Sequence, residues 1–250
     1  TINSQAANNA TINGGTSVSV TSNDVTTGTV TIGTTTAPSG VVSVTSTGNY
    51  TDGANVTLGD ITVKGGSSIT VTQSSGITEA EKTAAVSDGS NFTLTQSAVH
   101  VTGTSATSNV TVNQAVATTE VDDDTTGIGV IGVTNGDVDI TDVNAASTTK
   151  AGTITDVTLK NFGNATLNSG ALATINLQGS ATSLTVTQGA LTTATTTTQA
   201  LNLNGLTTTG TATLDTDIKT LNLKSSTTAS TINSLVAAGA TTVNISADAN

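Results

Sequence analysis

Cysteine, methionine, tryptophan and arginine are absent from this 250-residue chain, proline occurs once (Pro38), and the only aromatic residues are Tyr50, Phe92 and Phe162. Each absence narrows the class of molecule. Without cysteine there is no disulfide framework and no thiol nucleophile, a composition compatible with export from a bacterium. Six lysines stand against 17 acidic residues, for a formal charge of −11. A nucleic-acid surface is not expected, because phosphate tracking and base reading both need clustered cations. An acidic chain instead attracts cations. The shortage of aromatics means that any core is thin and built from Val, Ile, Leu, Ala and Thr. No apolar run approaches the roughly 20 residues that span a bilayer, so membrane insertion is not expected. The chain opens at Thr1 without a methionine and stops at Asn250 without a polar tail. It therefore reads as a slice of a longer protein, in which a signal peptide need not appear.

What is present is a long series of short apolar-x-apolar segments: "VSV" at 18–20 and 42–44, "VTI" at 30–32, "ITV" at 61–63 and 69–71, "VHV" at 99–101, "VTV" at 110–112 and "VDI" at 138–140. Alternation with β-branched residues is the pattern of a half-buried strand, and the Gly, Ser, Asn and Asp between the segments are turn formers. In the second half, strand-like segments end at 159, 167, 177, 186, 203, 214, 223 and 245, mostly about 8 to 11 residues apart. Units of about 20 residues with two strands, or about 30 with three, are what a parallel β-solenoid produces. The expected fold is therefore all-β, with parallel β-solenoid or β-helix-like segments, short strands and irregular loops. The expected division is an N-terminal solenoid segment at 1–73, an irregular β-rich junction at 74–130 and a C-terminal solenoid segment at 131–250. Only 78–88 and 232–240 look capable of a helical turn. Asn176, Asn202, Asn222 and Asn244 recur between apolar neighbours, so they fall on one outward face, either as an amide ladder or as tolerated surface residues.

The acidic residues concentrate in a few places. In "DVDITD", alternation turns Val138 and Ile140 inward and sets Asp137 and Asp139 on the outer face, about 7 Å apart. Asp142 has the opposite parity and sits at the strand end. "VDDDTTG" places Asp122, Asp123 and Asp124 in a loop, and "TLDTDIK" places Asp215 and Asp217 two apart at a strand end. Ca²⁺ takes six to eight hard oxygen ligands, which carboxylates, carbonyls and Asn or Thr oxygens of neighbouring turns could supply. These eight aspartates are the candidate metal ligands. No catalytic residue is assigned. His100 is the only histidine, and no second His or Cys completes a transition-metal site. Paired carboxylates of a glycosidase normally lie in a groove with aromatic platforms, which this chain lacks. Threonine is scattered over both faces, which argues against a single flat ice-binding array.

"NGDVDITDVNAASTTKAGTITDVTLKNFGNATLNSGALATINLQGSATSLTV" (135–186) resembles the central, lattice-forming region of calcium-dependent surface-layer (S-layer) proteins of Gram-negative bacteria that carry RTX repeats. "NNATINGGTSVSV" (8–20), "GDITVKGGSSITVTQ" (59–73), "NVTVNQA" (109–115) and "LNLNGLTTTG" (201–210) fit the same family in the same order. The resemblance implies type I secretion, a place on the bacterial cell surface, and self-assembly of copies into a two-dimensional lattice stabilised by Ca²⁺. It also implies attachment to cell-surface polysaccharide through a region outside this chain. Asp142 is the acid that best matches the family's "TITD" phrase. The chain departs from the family in lacking any "GGxGxD" nonapeptide, so its metal sites cannot be read from that rule. The alternatives are a calcium-dependent RTX-type adhesin and a carbohydrate-active β-helix enzyme.

Overall fold

The computed structural model describes residues 2–4, 9–24, 28–50, 55–77, 92–115, 118–119, 130–226 and 228–248. Among them there is no helix, and the strands build a β-solenoid-like stack. In chain order they begin with β1 (Ile2–Ser4), β2 (Ala10–Ile12), β3 (Val18–Asp24), β4 (Val30–Ile32), β5 (Val42–Tyr50), β6 (Val56–Thr57), β7 (Ile61–Lys64) and β8 (Ser68–Ile77). Next come β9 (Phe92–Thr95), β10 (Val99–Thr102), β11 (Asn109–Asn113), β12 (Thr118–Thr119), β13 (Val130–Thr134) and β14 (Val138–Thr141). The longest are β15 (Asp156–Asn168), β16 (Thr174–Thr187) and β17 (Thr198–Thr208). Last are β18 (Thr211–Thr213), β19 (Thr220–Ser225), β20 (Ser234–Val236) and β21 (Thr242–Ala247).

Seventeen of these strands form one parallel sheet that folds into two walls. The first wall runs β2, β4, β7, β10, β14, the second halves of β15 and β16, β18 and β20. The second runs β1, β3, β5, β8, β11, the first halves of β15 and β16, β17, β19 and β21. A small third sheet stacks β6, β9 and β13 in parallel, with β12 antiparallel to β13. Of the strands at 74–130, β10 and β11 belong to the main stack and β9 and β12 to the small sheet.

Alternation decides what each strand buries. On the second wall Val42, Ile69, Val110, Val157, Ile175 and Leu201 lie one above another, and each is no more than 1% exposed. Facing them, Ile61, Val99, Val138, Ala165, Leu184 and Ala212 repeat the arrangement on the first wall. Among the described residues Phe162 is the largest fully interior side chain. Each fully buried Val or Leu contributes about 1.5–3 kcal/mol, so a narrow aliphatic interior is enough once the rungs stack.

The two walls join where β15 and β16 bend. Asn161 takes a left-handed backbone (φ 51) at the register shift in β15, and Gly179 (φ 77) does so at the corresponding shift in β16. A side chain at Gly179 would run into the Asn161 amide oxygen, so the corner needs a residue without a Cβ there.

Inside the corner of the second wall is a polar row that was not anticipated. Ser22, Ser46 and Gln73 stack in register and are nearly inaccessible. Gln114 Nε2 donates to Gln73 Oε1 (2.8 Å) and Asn161 Nδ2 to the Gln114 carbonyl (2.9 Å), extending the row. Beyond it, Gly48 abuts Val56, Leu58 and Leu94, which are buried outside the main apolar cluster.

Two local expectations meet a different outcome. Within 232–240, Ser234–Val236 form strand β20, where Leu235 pairs with Ala212 and packs half-buried against the core, and so short a stretch cannot sustain a helix nucleus. The other proposed helical turn, 78–88, lies outside the described residues. The asparagines do stack outward, but as two pairs. Asn202 Nδ2 donates to Asn176 Oδ1 (2.9 Å), and Asn176 Nδ2 to Thr158 Oγ1 (3.2 Å). Asn244 Nδ2 donates to Asn222 Oδ1 (2.8 Å). Between the pairs, β19 sits two residues out of the motif's alignment, with Leu201 beside Leu223 and Asn202 beside Lys224.

Candidate functional site

Asp142 follows β14 with the inward parity expected of it and is 2% exposed. Its Oδ2 accepts the backbone N–H groups of Thr153 (2.6 Å) and Ile154 (2.7 Å). Ser169 Oγ lies 2.9 Å from both this oxygen and the Ile154 carbonyl, with one proton to give. Oδ1 accepts the Asn144 N–H (3.0 Å) in an Asx turn. The carboxylate thereby staples the two ends of the 143–153 loop, which is further tied by Asn144 Nδ2 to the Ala151 carbonyl (2.7 Å). A calcium ion needs oxygen acceptors around it, whereas Asp142 is ringed by N–H and O–H donors. In this geometry Asp142 acts as a structural clamp on the loop.

Asp215 repeats the device further along the same corner. Its Oδ1 accepts the Asp217 N–H (2.8 Å) and its Oδ2 the Gln188 N–H of the preceding rung (2.8 Å). Asp217 is half-buried, and its carboxylate has no protein partner among the described residues. Asp137 and Asp139 share the outer face, but each is engaged by a different neighbour. Asp137 Oδ1 accepts the Asn164 N–H (2.7 Å) and Nδ2 (3.1 Å). Asp139 Oδ2 lies 3.1 Å from His100 Nδ1, both side chains being about half exposed (48% and 47%). The second carboxylate oxygen of Asp137, the Oδ1 of Asp139 and the Asp217 carboxylate are the oxygens left for a cation. Asp122, Asp123 and Asp124 lie outside the described residues. Among the described residues no group of three or more His, Cys, Asp or Glu side chains converges.

The first wall also carries an outward row that sequence inspection took for scatter. Thr11, Thr31, Thr62, His100, Asp139, Thr166, Thr185 and Thr213 occupy successive rungs. His100 and Asp139 interrupt the threonine array at its centre. The row sets hydroxyl, imidazole and carboxylate side by side at Thr62, His100 and Asp139, yet no hydrogen bond joins Thr62 to His100. The trio lies on an open strand face, so it lacks the base–nucleophile contact and enclosed oxyanion site of a hydrolase.

A polar groove lies on the outer surface of the second wall. Thr158, Asn176, Gln178, Asn202, Asn204 and Ser226 line it, on either side of the inward-turned Leu177 and Leu203. The recurrence of Asn in "TINL" and "LNL" signals part of this lining, but Gln178 and Asn204 join it only because the register of β16 and β17 sets them side by side.

No known family model and no curated protein sequence matches the chain.

Proposed function

We propose that the chain is a structural, non-enzymatic building block of a bacterial surface layer, exported from the cell and packed with copies of itself into a calcium-stabilised sheet. The observation that supports this reading is the stack itself: parallel, in-register walls with polar outer rows. The ordered strings shared with RTX-type surface-layer proteins support the same reading.

Calcium would neutralise surface carboxylates and let acidic subunits approach. Asp137 and Asp139 fit that role through their unengaged oxygens, and Asp217 through its unpartnered carboxylate; Asp122, Asp123 and Asp124 are further acids of the sequence. The test is thermal melting and negative-stain imaging of the protein with millimolar Ca²⁺ and with excess EGTA. Calcium is expected to raise the melting temperature and promote sheets, and EGTA to reverse both. Identical melting and assembly in the two buffers would reject the proposal.

A further inference from the structure

We propose that the amide-lined groove on the second wall binds a neutral, hydroxyl-rich saccharide chain, a role that stands independently of calcium and of the lattice. The groove opens where two successive strands turn the corner. Gln178 precedes Gly179 (φ 77) and Asn204 precedes Gly205 (φ 61), so both strands bend just past the outward amides. The resulting space holds about 170 Å³, room for a sugar ring and too little for a protein segment.

Its chemistry is uniform. Every polar side chain lining it is an amide or a hydroxyl; the nearest cations flank it, Lys160 beside Gln178 and Lys224 beside Asn202, the latter paired with Asp248 (3.0 Å). An amide both donates and accepts, as a sugar hydroxyl does, and paired complementary groups of this kind distinguish a polyol from an ion. Part of the set is pre-oriented. The Asn202 to Asn176 to Thr158 ladder consumes one N–H of each amide and fixes its plane, leaving the second N–H of each and the Asn202 Oδ1 toward the groove's other groups. Gln178 and Asn204 have no protein partner for their side-chain amides among the described residues, so they can adapt to a ligand. The rungs repeat about every 4.8 Å, so a chain laid across the strands meets an amide pair at two successive rungs, Asn176 with Gln178 and Asn202 with Asn204. With no aromatic platform, binding is expected to be weak for one groove.

The experiment is affinity electrophoresis of the protein in gels containing dextran, laminarin or mannan, with alginate as the acidic control, for wild type, Gln178→Ala and Asn204→Ala. Both substitutions replace outward side chains that hold nothing in the fold, so unchanged melting curves are the condition for reading them. Retardation by at least one neutral glycan, weakened about tenfold or more by each substitution, is the expected result. Retardation by none of the three, retardation equal in wild type and variants, or retardation by alginate alone would each overturn the proposal.

Discussion

Removing the Asp142 carboxylate tests the clamp most directly. In Asp142→Ala the N–H groups of Ile154, Thr153 and Asn144 lose their acceptor together. Ile154 is fully buried, so its orphaned N–H carries a desolvation cost of about 1–3 kcal/mol. Thr153 and Asn144 are partly accessible to water and add about 0.5–1 kcal/mol each. Ser169 Oγ keeps the Ile154 carbonyl as an alternative and adds little. The sum is about 3 kcal/mol, large for one substitution. Asp142→Asn keeps one oxygen for the Thr153 and Ile154 amides and turns an NH₂ toward Asn144, so about 1–2 kcal/mol is expected. Urea unfolding gives the magnitude, and amide exchange at Thr153 and Ile154 shows whether the loop opens before the stack, since rungs of a solenoid can unfold in parts. The loss should be the same in calcium and in EGTA. An Asp142→Ala protein within about 0.5 kcal/mol of wild type refutes the clamp. A loss seen only in calcium would show the carboxylate to be a metal ligand.

Gly179→Ala puts a Cβ on a left-handed residue and against the Asn161 amide, which should cost about 1–3 kcal/mol; an unchanged melting temperature would show that the corner relaxes freely. Gln114→Leu removes the bond to Gln73 but also a buried Oε1 that has no partner, so the unfolding free energy from urea titration should change by no more than about 1 kcal/mol, and a loss near 3 kcal/mol would mean that a buried water satisfies that oxygen.

Several features of the site were readable from alternation alone. The parity of "DVDITD" put Val138 and Ile140 inside, Asp137 and Asp139 outside and Asp142 inward at the strand end, as the structure has them. The interior polar row was equally present as a pattern, since Ser22, Ser46, Gln73 and Gln114 each stand two residues after an inward valine. A polar side chain at an inward position reads as a strand end unless its partner is known, and the partner of Gln73 is 41 residues away. The roles of the acids were not readable. Nothing local in the sequence shows that the amides of Thr153 and Ile154, 11 and 12 residues on, close on Asp142.

The sequence by itself determined that the chain is β-structured, that its interior is aliphatic and narrow, and which residue of each pair points inward, because side-chain direction in a strand has period two and depends only on neighbours. Which rung lies on which was decided by the tertiary structure. Stacked partners are separated by anything from 18 residues, for Thr158 and Asn176, to 47, for Gln114 and Asn161, because loops of any length can bridge successive turns at little added entropic cost. Register therefore follows from burying the inward rows together, and that long-range packing splits the asparagine ladder, assembles the amide groove and turns an acidic strand end into a clamp.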